Sequence, residues 1–477
     1  MQERTVDVAI IGAGTAGMGA YRAASKQTEN VALIDGGPLG TTCARVGCMP
    51  SKLLIAAAEA AHTVNTADLF GMLVVDTQID GMAVMQRVKS ERDRFVGFVL
   101  ESVEEFGQDN LIRGYAKFIA PQRLQVDEEM IINAKSIVIA TGSSPMVPPF
   151  LADMGDRVLF NDDIFEWDDL PESIAVFGTG IIGLELGQAL DRLGVRVSIF
   201  GRSGRVSPLR DPICAEYAKK HFSDVLDLTP AATIVDVSDV GNRLQIEFFG
   251  DSSSERVEYY DFALAAIGRS PNLTNVAIEN AGIDLDAKGI PIFDPYTTQC
   301  GDQPVFIAGD VGNFRPLLHE AADEGRIAGK AAADYPEVMA GHRRTPLSIV
   351  FTDPQIAILG DRLADLPENG YEIGEISFED QGRSRVLQKN KGVLRVYGEH
   401  GSGRFLGAEM IGPSAEHIGH LLAWARQQNM TVQQMLDMPF YHPVIEEGVR
   451  TALRVLNKNL KLGPQPVERC LDCGPGA

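Results

Sequence analysis

Two cysteines near the start of the chain are spaced for redox chemistry. Cys43 and Cys48 lie five residues apart, and on a straight helix side chains at that spacing point about 140° away from each other. A disulfide needs Cα atoms within about 7 Å, so a regular helix would keep the two sulfurs apart. Gly47 and Pro50 favour an irregular turn that would let the pair close.

The charges around this pair favour a reactive thiol. Arg45 and Lys52 flank the cysteines, and positive neighbours stabilise the thiolate, which is the nucleophilic form. Two buried, unreactive cysteines are the alternative interpretation. A metal site is the weaker choice, because His62, the nearest histidine, lies outside the familiar zinc spacings. We therefore assign no metal ligand.

A histidine near the end of the chain is a candidate proton carrier. His442 is followed by Pro443 and, five residues on, by Glu447. Histidine titrates near neutrality, as a group that moves thiol protons must. Glu447 can accept a hydrogen bond from one ring nitrogen and so orient the base, and Pro443 can restrict the histidine backbone through a cis bond. Taken alone, one histidine among eight is more often structural than catalytic.

A glycine pattern that occurs twice indicates which elements position these residues. Each copy follows a β-branched run and precedes a helical pattern and a second strand. In such units glycines permit a tight turn and let the backbone approach a pyrophosphate at a helix N-terminus. One match also arises from packing alone, but two in register predict two dinucleotide sites. The glycines are Gly12, Gly14 and Gly17, and then Gly178, Gly180 and Gly183.

Two dinucleotide sites in one chain suggest a flavin and a nicotinamide nucleotide, and the end of each second strand indicates which site binds which. Asp35 ends the first copy, where a carboxylate normally holds the adenosine ribose hydroxyls. The second copy has Gly201 and then Arg202 at the same place, with Arg205 and Arg210 downstream. Loss of the acid removes repulsion of a 2′-phosphate, and a guanidinium can bind that phosphate bidentately. The second site therefore favours NADP over NAD, although Arg202 could instead be a solvated loop charge.

The remaining patterns complete a three-part architecture. Buried strands that end in turns are predicted at 137–142, 263–268 and 305–310, and a long helix at 82–106. Beyond about residue 345, a strand at 392–397 and helices at 415–428 and 446–457 indicate an α+β unit. The predicted fold class is α/β, with two Rossmann-like dinucleotide-binding domains and a C-terminal α+β domain.

Composition narrows the class of protein. The chain has 477 residues, 43 Lys and Arg against 65 Asp and Glu, and a net charge of −22. An acidic surface argues against a nucleic-acid partner, and no apolar run is long enough to span a bilayer. Six cysteines are too few for a secreted disulfide scaffold, and a first strand near Val6 leaves no room for a signal peptide. We expect a cytoplasmic protein.

Two stretches give the chain a specific family resemblance. Residues 40–52, which hold the cysteines and a Pro-Ser-Lys end, and residues 441–447, which hold the His-Pro and the glutamate, resemble the pyridine-nucleotide disulfide oxidoreductases. The layout is most similar to the dihydrolipoyl dehydrogenase-like members. The chain departs from the usual pattern at Ala44-Arg45, where Leu or Val and then Asn is common. It also departs at Asp35, commonly Glu, and at Gly201, where NAD enzymes carry an acid.

The resemblance implies a domain order and a set of cofactor contacts. It implies an FAD-binding domain over 1–147 and 269–344, an NAD(P)-binding domain over 148–268, and a C-terminal dimerisation domain over 345–477. The implied FAD contacts are Gly12, Gly14, Gly17, Asp35, Gly36, Thr41, Thr42, Lys52, Gly114, Thr141, Gly142, Asp310 and Leu318. The implied NAD(P) contacts are Gly178, Gly180, Gly183, Glu185, Arg202, Arg205 and Gly268, with Glu185 near the nicotinamide and in reach of Lys52.

The resemblance also implies a homodimer with shared active sites. Each site would combine the redox-active disulfide of Cys43 and Cys48 with the His442–Glu447 pair of the other subunit. The expected activity is two-electron transfer between NAD(P)(H) and a dithiol or disulfide, with dihydrolipoamide as the first candidate substrate. One alternative is an NADPH-dependent reductase of a small or protein disulfide. The other, from another class, is a docked structural subunit of a 2-oxo acid dehydrogenase complex that binds the core of a lipoyl carrier. Mercuric reduction and non-disulfide transhydrogenation fit the residues less well.

A second pair of cysteines lies four residues from the end of the chain. Cys470 and Cys473 sit on a stretch rich in Pro and Gly, which is typical of an exposed tail. In large thioredoxin reductases a similarly placed pair carries electrons outward. The sequence allows the same relay here, and it equally allows an adventitious thiol pair or a weak metal site.

Overall fold

The computed structural model describes residues 2–107, 109–250 and 254–462. Cys470 and Cys473, and with them the hypothesis of a tail relay, lie outside the described residues. The predicted domain boundaries remain predictions, and the elements below are given in chain order.

The first part of the chain builds a parallel sheet with an antiparallel extension. Its long first strand is apolar and almost fully buried at its carboxyl end, which suits a strand covered on both faces. The elements are β1 (Gln2–Ile11), α1 (Thr15–Ala24), β2 (Val31–Asp35), α2 (Thr42–Val46), α3 (Cys48–Asn65), α4 (Gly81–Glu104), β3 (Leu111–Arg113), β4 (Ala116–Ala120), β5 (Arg123–Val126), β6 (Met130–Ile139) and β7 (Ser143–Pro145).

The predicted long helix is present as α4, with ends that differ from those inferred from periodicity. It begins at Gly81 because the Asp80 side chain accepts a hydrogen bond from the Ala83 N–H at 2.9 Å, as an N-cap residue does. It ends at Glu104, two residues before the expected Phe106.

The second part repeats the parallel plan and adds a separate antiparallel sheet. The elements are β8 (Val158–Leu159), α5 (Asn161–Ile164), β9 (Ser173–Phe177), α6 (Ile181–Arg192), β10 (Arg196–Phe200), α7 (Pro212–Val225), β11 (Asp227–Thr229), β12 (Thr233–Asp239), β13 (Leu244–Phe249), β14 (Glu255–Tyr260) and β15 (Phe262–Ala265). The parallel order is β11-β10-β9-β15-β8, and β12, β13 and β14 form the antiparallel sheet.

The chain then returns to the first sheet. The elements are β16 (Arg269–Pro271), β17 (Val305–Ile307) and α8 (Leu318–Asp334). β16 pairs with β7 in a two-stranded antiparallel sheet, and β17 pairs with β6. The first sheet therefore has the order β3-β2-β1-β6-β5-β4, with β17 beside the carboxyl end of β6.

α8 packs closely on α1 because glycines remove side chains at the crossing. A Cβ at Gly325 would lie 2.1 Å from the Ala16 carbonyl oxygen, and one at Gly329 would lie 2.1 Å from that of Ala20. The helices cover one face of the first sheet, beside the first glycine loop.

The last part is an antiparallel sheet packed against helices. The elements are β18 (Leu347–Val350), β19 (Gln355–Gly360), β20 (Tyr371–Ser377), α9 (Gly382–Val386), β21 (Val393–Glu399), β22 (Phe405–Gly412), α10 (Ala415–Gln427), α11 (Val432–Leu436) and α12 (Glu447–Leu460). The strand order is β18-β19-β22-β21-β20. α12 runs three residues past the expected end because Leu460 is still buried in the core of this unit. The α/β fold class with a C-terminal α+β unit is confirmed.

Candidate active site

The parallel strands of the first sheet bring the predicted flavin residues to one edge. Ile11 lies opposite Ile34 of β2 and Ile139 of β6, and Ile139 lies opposite Ile307 of β17. Ligands bind outside the carboxyl ends of the strands in such sheets. The residues that follow these strand ends, among them Gly12, Asp35, Thr141 and Asp310, therefore share the binding edge.

The first glycine loop has the space that a pyrophosphate requires. A Cβ at Gly12 would lie 2.3 Å from the Ala140 carbonyl oxygen, and a Cβ at Gly17 would lie 1.7 Å from that of Gly12. These two glycines therefore permit close backbone packing. Gly14 differs, because no atom lies within 4 Å of its Cβ position. Its open side faces the start of α1, where backbone N–H groups favour an anion.

The second glycine loop has the same geometry. A Cβ at Gly178 would lie 2.3 Å from the Ala266 carbonyl oxygen, and a Cβ at Gly183 would lie 1.9 Å from that of Gly178. The Cβ position of Gly180 is again open within 4 Å. Both loops therefore fit the diphosphate of a dinucleotide, and the repeat seen in the sequence is also a repeat of atomic contacts.

Asp35 holds the backbone around the first loop. Its carboxylate accepts hydrogen bonds from the Ala13 N–H at 2.6 Å and the Gly37 N–H at 2.7 Å. Gly36 lies against the ring of Tyr115, which a Cβ would approach to 2.6 Å. Gly114, just before this tyrosine, has φ +154°.

The other predicted flavin residues lie at the start of helices or on the loops after strands. Thr41 caps α2 by accepting from the Ala44 N–H at 3.3 Å, next to the exposed Thr42. Thr141 donates to the Asn272 carbonyl at 2.8 Å, and Gly142 follows it. Asp310 accepts from the Ser143 hydroxyl at 2.8 Å. Leu318 begins α8.

The predicted interruption between the two cysteines is present. α2 carries Cys43 and ends at Val46, Gly47 adopts φ −125° and ψ −114°, and α3 starts at Cys48. A Cβ at Gly47 would lie 3.0 Å from the Thr42 carbonyl oxygen, so the break brings the start of α3 close to the start of α2. Both cysteines are thiols in this structure.

The pKa values of the two thiols are shifted in opposite directions. The Cys43 thiol donates a hydrogen bond to the Cys48 sulfur, which raises the pKa of Cys43 and, with the Lys52 charge, lowers the pKa of Cys48 to about 7. Burial opposes the lowering at Cys48 and adds to the rise at Cys43. Cys48 is therefore the more acidic thiol of the reduced pair.

Of the two flanking cations, Lys52 acts to lower the pKa of both thiols. Arg45, the other flanking cation, lies on α2 together with Cys43. Its charge acts on Asp162 at the start of α5, where burial raises the carboxyl pKa and Arg269 and Arg45 oppose that rise.

Lys52 links the cysteine helix to the second nucleotide unit. Its Nζ lies 2.7 Å from Glu185 Oε2 on α6, so the expected pair forms. Glu185 is 5% exposed, and its other oxygen accepts from the Phe351 N–H at 2.8 Å. The Lys52 ammonium also lies 4.6 Å from the centre of the Phe351 ring. The charge that stabilises the Cys48 thiolate is thus held by all three parts of the chain.

The histidine and the glutamate form the expected hydrogen-bonded pair. His442 Nδ1 lies 3.0 Å from Glu447 Oε2, and the His442–Pro443 bond is cis. Glu447 is 2% exposed and also bonds the Arg450 guanidinium at 3.0 Å, whereas the His442 side chain is 60% exposed. The glutamate lies at the N-terminus of α12, where the helix dipole favours a carboxylate. His442 Nε2 is left to face solvent or substrate.

The second loop presents two arginines beside the glycines. Arg202 and Arg205 are exposed, and neither forms an ion pair with any residue in the described ranges. Gly201 is required by crowding, since a Cβ there would lie 2.4 Å from the Pro230 carbonyl oxygen and 2.9 Å from Thr179. Gly268 follows β15 at the same edge, with φ +134°.

Several contacts that support the site were not found from the sequence. Asn161 donates to the Val46 carbonyl at 2.7 Å and so holds the end of α2. Glu324 accepts from the Gly309 N–H at 2.8 Å, next to Asp310. These bonds join residues far apart in the chain, and no local pattern predicts them. A further contact, the N-cap of α7 by the Asp211 side chain, did have a local signal in the Asp-Pro step at 211–212.

Family models cover most of the chain. Residues 6–325 match the family described as pyridine nucleotide-disulphide oxidoreductase, and residues 347–453 match the dimerisation domain of that family. The chain belongs to this family of class I flavoprotein disulfide reductases. The family implies an FAD cofactor and a pyridine nucleotide, and the dimerisation domain supports a homodimer.

Individual relatives differ in the activity that their names state. The chain is 29% identical over 455 residues to dihydrolipoyl dehydrogenase of Bacillus subtilis strain 168, which covers 94% of this chain and 97% of that protein. It is 29% identical over 465 residues to mercuric reductase of Staphylococcus aureus, covering 95% and 83%. The relatives therefore support disulfide oxidoreductase chemistry without fixing the substrate.

Solved structures share the fold. LpdA of Mycobacterium tuberculosis superposes with a TM-score of 0.81 at 24% identity, covering 95% of this chain and 99% of that one. The Cu(II) complex of RclA, an HOCl-induced flavoprotein disulfide reductase of Escherichia coli, gives 0.78 at 22% identity, covering 96% and 100%. Within the described ranges, no helix is both long and apolar enough to cross a membrane.

Proposed function

We propose that this chain moves two electrons between NADP(H) and a dithiol or disulfide through Cys43 and Cys48, with dihydrolipoamide as the first candidate substrate. The observation that carries the proposal is the thiol pair itself. Cys48 has its pKa lowered to about 7 beside Lys52, and Lys52 is ion-paired with Glu185 on the helix that starts at the second glycine loop. The thiolate therefore lies beside a contact that joins the two predicted nucleotide units.

The first glycine loop suits FAD. The open Cβ position of Gly14 and the start of α1 would receive the pyrophosphate, and Asp35 would exchange part of its backbone bonding for the ribose hydroxyls. Asp310 would lie along the ribityl chain, and Lys52 would lie near the ring. When bound, FAD supplies two-electron transfer between the nicotinamide and the cysteine pair.

The protein's own groups perform the thiol chemistry. In the oxidative direction, His442 of the partner subunit accepts the proton of one substrate thiol, and that sulfur attacks Cys43 in the Cys43–Cys48 disulfide. The S–S bond breaks, and Cys48 leaves as a thiolate stabilised by Lys52. The second substrate thiol then attacks the substrate sulfur of the mixed disulfide and passes its proton to the departing Cys43 sulfur, which is released as a thiol because its pKa is raised. The substrate is oxidised by two electrons, and the cysteine pair is reduced by two.

The pairing of His442 with Glu447 favours a thiol substrate. Hydrogen bonding at Nδ1 fixes the tautomer and leaves Nε2 to exchange a proton. A reaction that reduces a metal ion has no thiol proton to move. The His442–Glu447 pair therefore supports thiol exchange over Hg(II) reduction as the main activity. A lipoyl domain of a multienzyme complex is the corresponding partner.

The second nucleotide loop supports NADP(H). Arg202 and Arg205 are exposed cations without a partner among the described residues, beside a strand end that lacks an acid. The chain carries a net charge of −22, so two unpaired guanidinium groups at a nucleotide edge favour an additional phosphate. The same observation favours the second candidate, an NADPH-dependent reductase of a small or protein disulfide.

A substrate panel tests the proposal on the FAD-loaded full chain. Stopped-flow flavin absorbance would follow reduction by dihydrolipoamide, NADPH and NADH, and turnover would be measured with lipoamide, glutathione disulfide and Hg(II). We expect reduction by dihydrolipoamide and faster reduction by NADPH than by NADH. Glutathione disulfide turnover without lipoamide turnover would select the second candidate. Turnover of Hg(II) alone would refute both.

A matched pair of variants tests the nucleotide preference. Arg202→Ala should weaken NADPH binding by about 1.5–3 kcal/mol and leave NADH nearly unchanged, because a charge-assisted contact to the 2′-phosphate is lost. Lys26→Ala removes one exposed positive charge away from the loop and serves as the control. Equal losses for both nucleotides would place Arg202 in solvent and remove the preference for NADP.

A further inference from the structure

A buried glutamate of the C-terminal sheet bonds the end of the nucleotide loop. Glu409 on β22 is fully buried, and its Oε2 accepts from the Arg210 N–H at 2.7 Å and the Asp211 N–H at 3.0 Å. These two residues close the loop that begins at Gly201 and carries Arg202. A side chain of the dimerisation domain therefore holds a backbone segment of the nucleotide-binding unit.

The neighbouring strand β21 holds the same end of the loop by bonding the side chain of Asp211. Asp211 is fully buried, and it caps α7 by accepting from the Ile213 N–H at 3.0 Å. Its other oxygen accepts from Arg395 Nε at 2.7 Å and from the Tyr397 hydroxyl at 3.0 Å, both on β21. The last residues of the loop are thus fixed by β21 and β22 together.

The beginning of the loop is held differently. Gly204 N–H donates to the Pro230 carbonyl at 2.9 Å, and the Thr179 hydroxyl of the glycine loop donates to the Arg205 carbonyl at 2.6 Å. These contacts lie within the nucleotide-binding unit. The loop therefore has one end fixed by its own unit and the other by the C-terminal sheet, so its two arginines lie between two anchors.

The chemistry of Glu409 indicates a role beyond packing. Its Oε1 is buried without a hydrogen-bond partner in the described part of the chain, and burial raises the carboxyl pKa while the two backbone bonds oppose that rise. An apolar residue on the buried face of β22 would avoid the desolvation cost. An apolar residue could not accept the hydrogen bonds that fix the backbone N–H groups of Arg210 and Asp211.

We propose that Glu409 is a positioning residue for the 2′-phosphate, acting through the loop that carries Arg202 and Arg205. The proposal rests on the proposed use of NADP(H). It predicts that loss of the Glu409 acceptor weakens recognition of the 2′-phosphate and leaves recognition of the adenosine 5′-phosphate, which depends on the glycine loop, nearly unchanged. The relevant quantity is the ratio of the affinities for 2′,5′-ADP and 5′-AMP.

The ratio can be measured by calorimetry on the FAD-loaded full chain. In the unaltered protein, tighter binding of 2′,5′-ADP than of 5′-AMP supports NADP use, and equal binding refutes that proposal before any variant is made. Glu409→Ala should then lower the ratio roughly 3- to 10-fold, the range expected for loss of about one net hydrogen bond. Glu409→Gln keeps an acceptor oxygen and should restore most of the ratio.

Two more variants separate positioning from general damage. Met410→Ala removes a buried side chain from the same strand and should lower stability while leaving the ratio unchanged. Tyr397→Phe removes one hydrogen bond to Asp211 with little change of shape, and it should lower the ratio by less than Glu409→Ala; it also serves if Glu409→Ala does not fold. A ratio that stays constant in the Glu409 and Tyr397 variants, or that falls equally in Met410→Ala, would overturn the proposal.

Discussion

Removing the Lys52 charge should raise the pKa of Cys48 in the reduced enzyme. The pKa of Cys48 is lowered from 9.0 to about 7, first by the hydrogen bond from Cys43 and then by Lys52, against burial and the charge of Glu185. In Lys52→Met the favourable charge is lost and the buried Glu185 carboxylate remains, so both changes act in the same direction. Glu185→Gln should do the opposite, because it leaves the Lys52 charge without its 2.7 Å partner.

The size of the effect follows from the size of the shift. Two pKa units correspond to about 2.7 kcal/mol between the thiol and thiolate forms, and Lys52 supplies only part of that difference. Cys48 is partly desolvated by its neighbours but is still exposed to solvent, so solvent and salt screen the Lys52 charge. We therefore expect the alkylation rate of Cys48 at pH 6 to fall roughly 3- to 10-fold in Lys52→Met, with a larger effect at low ionic strength.

The assay is carbamidomethylation of the anaerobically reduced holoenzyme, with the modified cysteine identified by peptide mass spectrometry from pH 5 to 9. The rate at Cys48 should reach half its maximum near pH 7 in the unaltered protein, at higher pH in Lys52→Met and at lower pH in Glu185→Gln. Cys214 is buried and supplies an internal control. Midpoints that move in the same direction in both variants, or do not move, would refute the electrostatic account of the thiolate.

Three further outcomes are expected. Cys43→Ser and Cys48→Ser should each abolish disulfide turnover while FAD stays bound and reducible by NADPH, and dithiol turnover in both would contradict the mechanism. Glu447→Gln should lower kcat about 10- to 100-fold with little change in KM, and an unchanged kcat would remove the oriented base. Asp353→Asn should lower the melting temperature: burial acts to raise the pKa of Asp353, but Arg192 at 2.9 Å outweighs it and holds that pKa below its usual value. The stability that this ion pair contributes is fully present above the ordinary carboxyl pKa and is lost as the pH falls through the lowered pKa of Asp353. The melting temperatures of variant and parent should therefore begin to converge below about pH 4 and become equal below the lowered pKa. A difference that persists at the lowest pH would contradict the ion pair as its source.

The nucleotide edges were predictable because a local pattern specifies them. A β-branched strand, three spaced glycines and a second strand place Gly14 and Asp35 at one edge by topology alone, and the same holds for Gly180 and Arg202. The break between the cysteines was also predictable, since Gly47 lies in the short segment that has to turn. These features depend on residues within about one βαβ unit of each other.

The contacts between units were not predictable for the opposite reason. Glu409 and Arg210 are 199 residues apart, and neither β22 nor the loop carries a pattern that names the other. The packing of whole sheets determines which side chains meet across a domain boundary. The periodicity of one segment contains no information about that packing.

Glu185 shows how one side chain can satisfy three units at once. One oxygen bonds Lys52 on the cysteine helix and the other bonds the Phe351 N–H of the C-terminal unit, while the residue itself lies on the first turns of α6. A glutamine would keep the acceptor for Phe351 but remove the charge opposite Lys52, and an apolar residue would leave both groups without this partner. Because a buried carboxylate is costly unless its bonds are made, Glu185 is stable only when all three units are assembled. The acidity of Cys48 is therefore a property of the assembled protein, and the opposite shifts expected for Lys52→Met and Glu185→Gln test that statement directly.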